Sequence, residues 1–164
     1  MCNFDEQNLC TYEQIKGDIY DWILKPNITE LEPDDSKGDK LGNPHRKGYF
    51  LSAVADNSGP GQKIRLRSAV LETSVPRCLT FSYKLCPNHA GVLSVFTQTD
   101  FNGSSINLNH VWSRAAMKCH DWMNAKAELP AVSYVFRVVF EAIVGSIVGQ
   151  IAIDDVNIYE GNCL

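Results

Sequence analysis

No stretch of this 164-residue chain repeats apolar residues every three to four positions over the length of a helix, which argues against a helical bundle or an alternating strand–helix fold. Only Thr11 to Ile15 suggests a single helical turn, and Gly17 stops it. The longest apolar run falls far short of the ~20 residues of a membrane helix, so no direct insertion of this segment into a membrane is expected. There is no excess of basic residues either. The formal net charge is −4, which argues against a nucleic-acid partner. Internal repeats and low-complexity tracts are missing, and an apolar fraction of 45% is that of a folded domain, not a disordered one. No Cys-x-x-Cys pair occurs, which disfavours a zinc ribbon or a thioredoxin-type site. No Gly-x-Ser-x-Gly elbow occurs and no histidine stands in a triad context, which disfavours a hydrolase. No basic-apolar leader opens the chain, so Met1 before Cys2 reads as an added start residue on an excised module, the alternative being a complete cytosolic protein.

What is present decides between those two. The length suits one domain, enough to bury roughly 70% of the surface its unfolded form exposes. Six cysteines, Cys2, Cys10, Cys78, Cys86, Cys119 and Cys163, fit a disulfide framework in a secreted domain. A metal site from Cys86, His89, Cys119 and His120 is the weaker alternative, because the last two are adjacent and awkward to aim at one ion. Asn27-Ile28-Thr29 and Asn102-Gly103-Ser104 are glycosylation acceptors, which also favour secretion.

Strand signals recur instead of helices. Ile19 to Leu24, Tyr49 to Ala55, Gln62 to Leu66, Cys78 to Leu85, Gly91 to Thr97 and Met123 to Leu129 are separated by Gly, Pro and Asn turns. Val70 and Leu71 extend the third of these after a break at Ser68. The segment from Lys25 to Lys47, rich in Pro, Gly, Asp and Asn, reads as a long loop, and loops of that length tend to be functional or tied to a ligand. The region from Asn102 to Lys118 has little pattern. From Tyr134 to Ala142 apolar residues hold one parity while Arg137 and Glu141 hold the other, the period-two signature of a half-buried strand. The last strand, Gln150 to Tyr159, has a phase error. Ile151 and Ile153 share one parity, Val156 and Ile158 the other. A regular pleat cannot bury both pairs, so a bulge at Asp154-Asp155 is expected. Many short strands without crossover helices predict an all-β antiparallel sandwich.

The matching residues Cys2-Asn-Phe4-Asp5, Gly17-Asp18-Ile-Tyr-Asp21-Trp22, Gly48-Tyr49-Phe50-Leu51, Gly61-Gln62-Lys-Ile-Arg65-Leu66, Cys78-Leu-Thr-Phe81, Phe140-Glu141-Ala142 and Gly149-Gln-Ile-Ala-Ile-Asp154-Asp155-Val156, closing at Cys163, resemble a MAM domain. This is the extracellular module named after meprin, the A5 antigen and receptor tyrosine phosphatase mu, and the resemblance covers a single domain over residues 2–163. It implies a disulfide-stapled jelly-roll sandwich of two antiparallel sheets. It also implies a non-catalytic role outside the cell, in adhesion or in oligomerisation of a larger ectodomain, with another extracellular protein or itself as partner. A carbohydrate- or glycosaminoglycan-binding module on a similar jelly roll is the alternative. The family pairing implies disulfides Cys2–Cys10 and Cys78–Cys163, which leaves Cys86 with Cys119. Those two cysteines depart from the usual four, and Glu32-Pro33-Asp34-Asp35-Ser36 departs from the family's pattern in the long loop.

Four carboxylates, Asp5, Asp35, Asp39 and Asp154, are candidates for one structural calcium ion, since hard oxygen ligands in irregular geometry suit calcium. The competing reading is that Asp154 caps backbone N–H groups at the bulge. Glu141, Asp154 and Asp155 are the carboxylates a glycosidase would need, but neighbours on a strand point to opposite faces, so no enzyme is expected. Lys63, Arg65 and Arg67 share one parity, and with His45-Arg46-Lys47 they form a candidate surface for an acidic partner, against the plainer reading of a solvated strand face. Trp22 and Trp122 are expected in or near the core, and Trp112 is the candidate exposed anchor.

Overall fold

A computed structural model describes residues 1–15, 21–26, 48–53, 60–72, 74–99, 107–132, 134–147 and 149–164. Among them every regular element is a strand. One sheet holds, from edge to edge, β1 (Glu13–Gln14), β4 (Lys63–Arg67), β9 (Arg137–Val144), β6 (Gly91–Gln98) and β7 (Leu108–Ala115). The other holds β2 (Trp22–Pro26), β3 (Tyr49–Ala53), β10 (Gln150–Glu160), β5 (Arg77–Cys86) and β8 (Met123–Leu129). All pairs are antiparallel. The chain crosses between the sheets at every connection except β2–β3 and β6–β7, the interleaved order of a jelly roll.

Alternation explains the core. Ile64 and Leu66 of β4, Leu93 and Val95 of β6, and Val138, Phe140 and Ala142 of β9 face Leu79, Phe81 and Leu85 of β5 and Ile151 and Ile153 of β10, all within one buried cluster. Burying each large side chain contributes about 1.5–3 kcal/mol before entropy is set against it. The two layers are also tied by polar contacts. The Trp22 indole Nε1–H donates to the Ile64 carbonyl at 3.2 Å, and the Gln14 carboxamide both accepts from the Trp22 N–H and donates to its carbonyl, at 3.1 and 2.5 Å.

The phase error in β10 is a bulge. Its pairing with β5 slips between Asp154 and Asn157, so both apolar pairs, Ile151/Ile153 and Val156/Ile158, contact the core. Asp155 takes the strain with φ 49°. The same device hides β7 from a sequence reader. Val95 pairs with Trp112 but Phe96 with His110, leaving Val111 as the extra residue and reversing the alternation within the strand. The turn expected at Thr11 to Ile15 is a correction too. Glu13 and Gln14 pair with Arg67 and Leu66, because Tyr12 packs edge-on to Phe140 at 6.3 Å and brings the backbone to the sheet edge. The Val70–Leu71 extension is a single bridge from Leu71 to Phe136.

Candidate functional site

The candidate carboxylates at the chain ends serve the backbone. Cys2 bridges Val156 in both directions, which lays the first residues beside the bulge. Asp5 then reaches β3, where its Oδ1 accepts the Tyr49 N–H at 3.1 Å. A Cβ on Gly48 would come within 1.9 Å of that oxygen, and Gly48 has φ +142°, so only glycine admits this approach. Asp154 is buried, and its Oδ1 accepts the Asp155 N–H at 2.8 Å. The described residues contain no group of three or more His, Cys, Asp or Glu side chains that could hold a metal. Asp5 and Asp154 by themselves fall short of calcium's six to eight oxygens. Asp35 and Asp39 lie outside the described residues, as do Asn27, Asn102 and His45-Arg46-Lys47.

The glycosidase carboxylates do not converge. Phe140 and Ala142 face the core, so Glu141 lies on the outer face of its sheet; Ile153 faces the core, so Asp154 lies on the outer face of the other. Glu141 is buried there and accepts a hydrogen bond from Arg65 Nε at 2.7 Å.

That contact also corrects the basic-surface reading. Arg65 is held by Glu141, and Arg67 donates to Glu13 at 2.7 Å, with Arg137 on the same Glu13 oxygen at 2.9 Å. The Arg67 hydrogen bond, with help from Arg137, lowers the Glu13 carboxyl below its ordinary range. Two of the three strand cations are therefore engaged by carboxylates, Arg67 sharing its own with Arg137, and Lys63 is left exposed.

Trp112 is likewise not a free anchor. Its ring stands edge-on to Phe81 at 5.0 Å and to Tyr83 at 5.2 Å, with the Arg114 guanidinium 5.4 Å from its centroid. It is a wedge between the sheets where the edge strands β7 and β8 face each other. Val111's bulge turns it inward, and Ala125 and Ala127 on β8 leave it room. Trp122 reaches the outer face instead, edge-on to Phe50 at 5.4 Å.

Disulfides join Cys2 to Cys10 and Cys78 to Cys163. The second ties the end of β10 to the start of β5 and closes a separation of 85 residues. Cys86 and Cys119 stand as free thiols hydrogen-bonded to each other, the arrangement from which the expected bridge would form. Burial first, and then the hydrogen bond with Cys119, pushes the Cys86 thiol pKa up, so it resists forming the thiolate that oxidation requires.

One cavity went unforeseen. It has a volume of about 280 Å³ and opens where β7 and β8 part, beyond Trp112. The chain crosses there from β8 to β9, and so from one sheet to the other. Val111, Leu129, Val132 and Phe136 give it apolar walls; Thr97, Asn109 and Glu128 add polar groups. Tyr134, half exposed, stands at its side. The His110 ring turns away toward Phe96 and Ser113. No local motif marks the cavity, because its residues come from three strands and a crossover.

The family model of the MAM domain, meprin/A5/mu, matches residues 2–164. The human MAM domain-containing glycosylphosphatidylinositol anchor protein 2 is 30% identical over 99% of this chain, and human MAM domain-containing protein 2 is 33% identical over 99%. The chain spans only 18% and 23% of those relatives' lengths. Among solved structures, the K1 cleaved adhesin domain of Lys-gingipain from Porphyromonas gingivalis superposes with a TM-score of 0.68 at 15% identity, covering 98% of this chain and 96% of that one, a likeness of fold. With a match running from Cys2 through the last residue, and with Asp5, Gly48, Trp22 and the Cys78–Cys163 bridge each given a structural duty, the chain belongs to the MAM family, an extracellular β-sandwich module.

Proposed function

We propose that this module is a non-catalytic contact domain that binds another extracellular protein, or a second copy of itself, as part of a larger ectodomain. The observation that carries this reading is an apolar patch with a polar rim. Val70, Tyr134 and Val135 are exposed and flank the Leu71–Phe136 bridge that staples the crossover to the strand before it. The Glu13, Arg67 and Arg137 cluster lies beside it. Apolar centres ringed by charge are how protein contacts exclude water and keep specificity. The glycosylphosphatidylinositol anchors in the relatives' names support a cell-surface setting for such contacts.

Beads coated with the module test it. They should cluster with each other or bind cell-surface ectodomains. Val70→Glu with Val135→Glu should remove that binding while leaving the melting temperature within a few degrees. Unaltered binding by the double variant would reject this surface as the contact. Calcium belongs to the same proposal only through Asp35 and Asp39 joining Asp5 and Asp154. If so, chelation lowers the melting temperature, and Asp154→Asn removes that response; equal melting temperatures with calcium and with chelator leave the carboxylates to the backbone alone.

A further inference from the structure

We infer that the cavity between β7, β8 and the crossover is a binding site for one terminal neutral sugar, a hexose or N-acetylhexosamine at the end of a glycan. This reading does not rest on the protein contact proposed above, although Tyr134 borders both surfaces. Three observations on the cavity carry it.

The first is the mixture of its walls. Thr97 and Asn109, paired across β6 and β7, supply a hydroxyl and a carboxamide, and Glu128, exposed between the core-facing Ala127 and Leu129, stands at the rim. Val111, Leu129, Val132 and Phe136 supply apolar surface between them. An aliphatic or aromatic side chain from a protein would cover those polar groups and leave them unpaired. A cationic side chain would satisfy Glu128 but carries no acceptor for the Asn109 amide. A pyranose offers hydroxyls that both donate and accept, together with an apolar C–H face, and so answers both kinds of wall.

The second is Tyr134. Its side of the cavity presents an aromatic residue that is 51% exposed. A flat, partly solvated ring is a platform for the C–H face of a sugar, and tyrosine keeps its hydroxyl in water while the ring packs. The third is size. At about 280 Å³ the cavity falls just below the roughly 300–1,000 Å³ of drug-sized ligand sites, room for one small ring. The crossover from β8 to β9 borders it, so it suits the end of a glycan and not the interior of a long chain. The Glu128 carboxylate and the net charge of −4 select against sialic and uronic acids.

The test is NMR titration of the isotope-labelled chain with methyl galactoside, methyl glucoside, N-acetylglucosamine and N-acetylneuraminic acid. Sugars are carried to about 50 mM, well above the ~1 mM dissociation constant that corresponds to weak single-site binding. At least one neutral sugar should shift, saturably, the amides of Thr97, Asn109, Val111, Glu128 and Leu129, and leave those of β2 and β3 unmoved. Tyr134→Ala and Glu128→Gln should each weaken binding at least tenfold, about 1.4 kcal/mol. Tyr134→Phe should retain it, which separates loss of the ring platform from loss of fold. Three outcomes overturn the inference. They are no saturable shift with any neutral sugar, a preference for N-acetylneuraminic acid, or occupancy of the cavity by a peptide partner with no response to sugar.

Discussion

The seam between the edge strands β7 and β8 has two halves, built from the same sheets and treated in opposite ways. One half is sealed. Trp112, Phe81, Tyr83 and Phe140 meet edge-to-face at 5.0–5.2 Å, and Tyr83 continues to His120 at 6.1 Å. Its hydroxyl donates to the Met123 sulfur at 3.9 Å. The other half, starting at Thr97 and Asn109, is left open as the cavity. The bulge at Val111 divides them: it throws Trp112 into the gap on one side and leaves Val111 as a wall of the cavity on the other. Edge strands left unpaired invite association, and this fold answers that hazard with an aromatic plug in one half and a shaped recess in the other.

Removing a ring from the plug gives the largest expected effect. Phe81→Ala should cost about 3–5 kcal/mol in urea unfolding, because Phe81 touches Trp112, Tyr83 and Phe140 and its loss leaves a cavity that cannot collapse. Tyr134→Ala at the open half should cost about 0.5 kcal/mol. Equal losses would dissolve the distinction between the halves.

Oxidation sharpens it from the closed end. Joining Cys86 to Cys119 would lock the β5–β6 turn to the segment before β8, for about 2–4 kcal/mol. Non-reducing peptide mapping should find the two crosslinked after oxidant treatment, with the melting temperature raised relative to the thiol form. Alkylation of both in fully oxidised, folded protein would reject that link.

Filling the open half is the converse experiment. Thr97→Ile adds apolar volume to a cavity wall and deletes a hydroxyl. Cavity filling commonly stabilises by about 0.5–2 kcal/mol, and here it should also abolish the sugar-induced NMR shifts. A gain in stability with sugar binding intact would place the sugar elsewhere.

The smallest effect is electrostatic. Glu13 holds Arg67 and Arg137, and so the start of the strand that follows Phe136 in the cavity wall. Its carboxyl titrates below its unfolded value, so its contribution is complete above an ordinary carboxylate pKa near 4.3 and is lost as pH falls through the lowered value. Glu13 is half exposed, and such pairs are worth about 0–1 kcal/mol and weaken with salt. Unfolding curves for wild type and Glu13→Gln should therefore differ slightly near neutrality and merge in acid.

Local pattern carried most of the sandwich to the reader. Period-two alternation marked β9, strand-forming runs between turn residues marked β3, β4, β5, β6 and β8, and the broken alternation of Ile151/Ile153 against Val156/Ile158 marked the bulge in β10. The quoted MAM residues marked the family, and their duties are local in the same sense: Asp5 meets Gly48-Tyr49, and the Trp22 indole meets the Ile64 carbonyl. Alternation failed where tertiary contacts set the phase. β7 lost its rhythm to Val111, and β1 exists only because Leu66 and Arg67 offer it backbone partners.

Charge and aromatic exposure were decided by partners far along the chain. Arg65 pairs with a residue 76 positions away, and Arg137 with one 124 positions away, so a strand that looks like a free basic strip is partly paired. Trp112 looks like an anchor until Phe81 and Tyr83 of the other sheet enclose it. The sequence by itself determined strands, a family and a disulfide-rich sandwich, because alternation and short motifs are encoded among neighbours. Only the tertiary structure decided which cations are paired, that Trp112 plugs the seam and where a cavity opens, because each depends on two sheets meeting at a distance that no local pattern specifies.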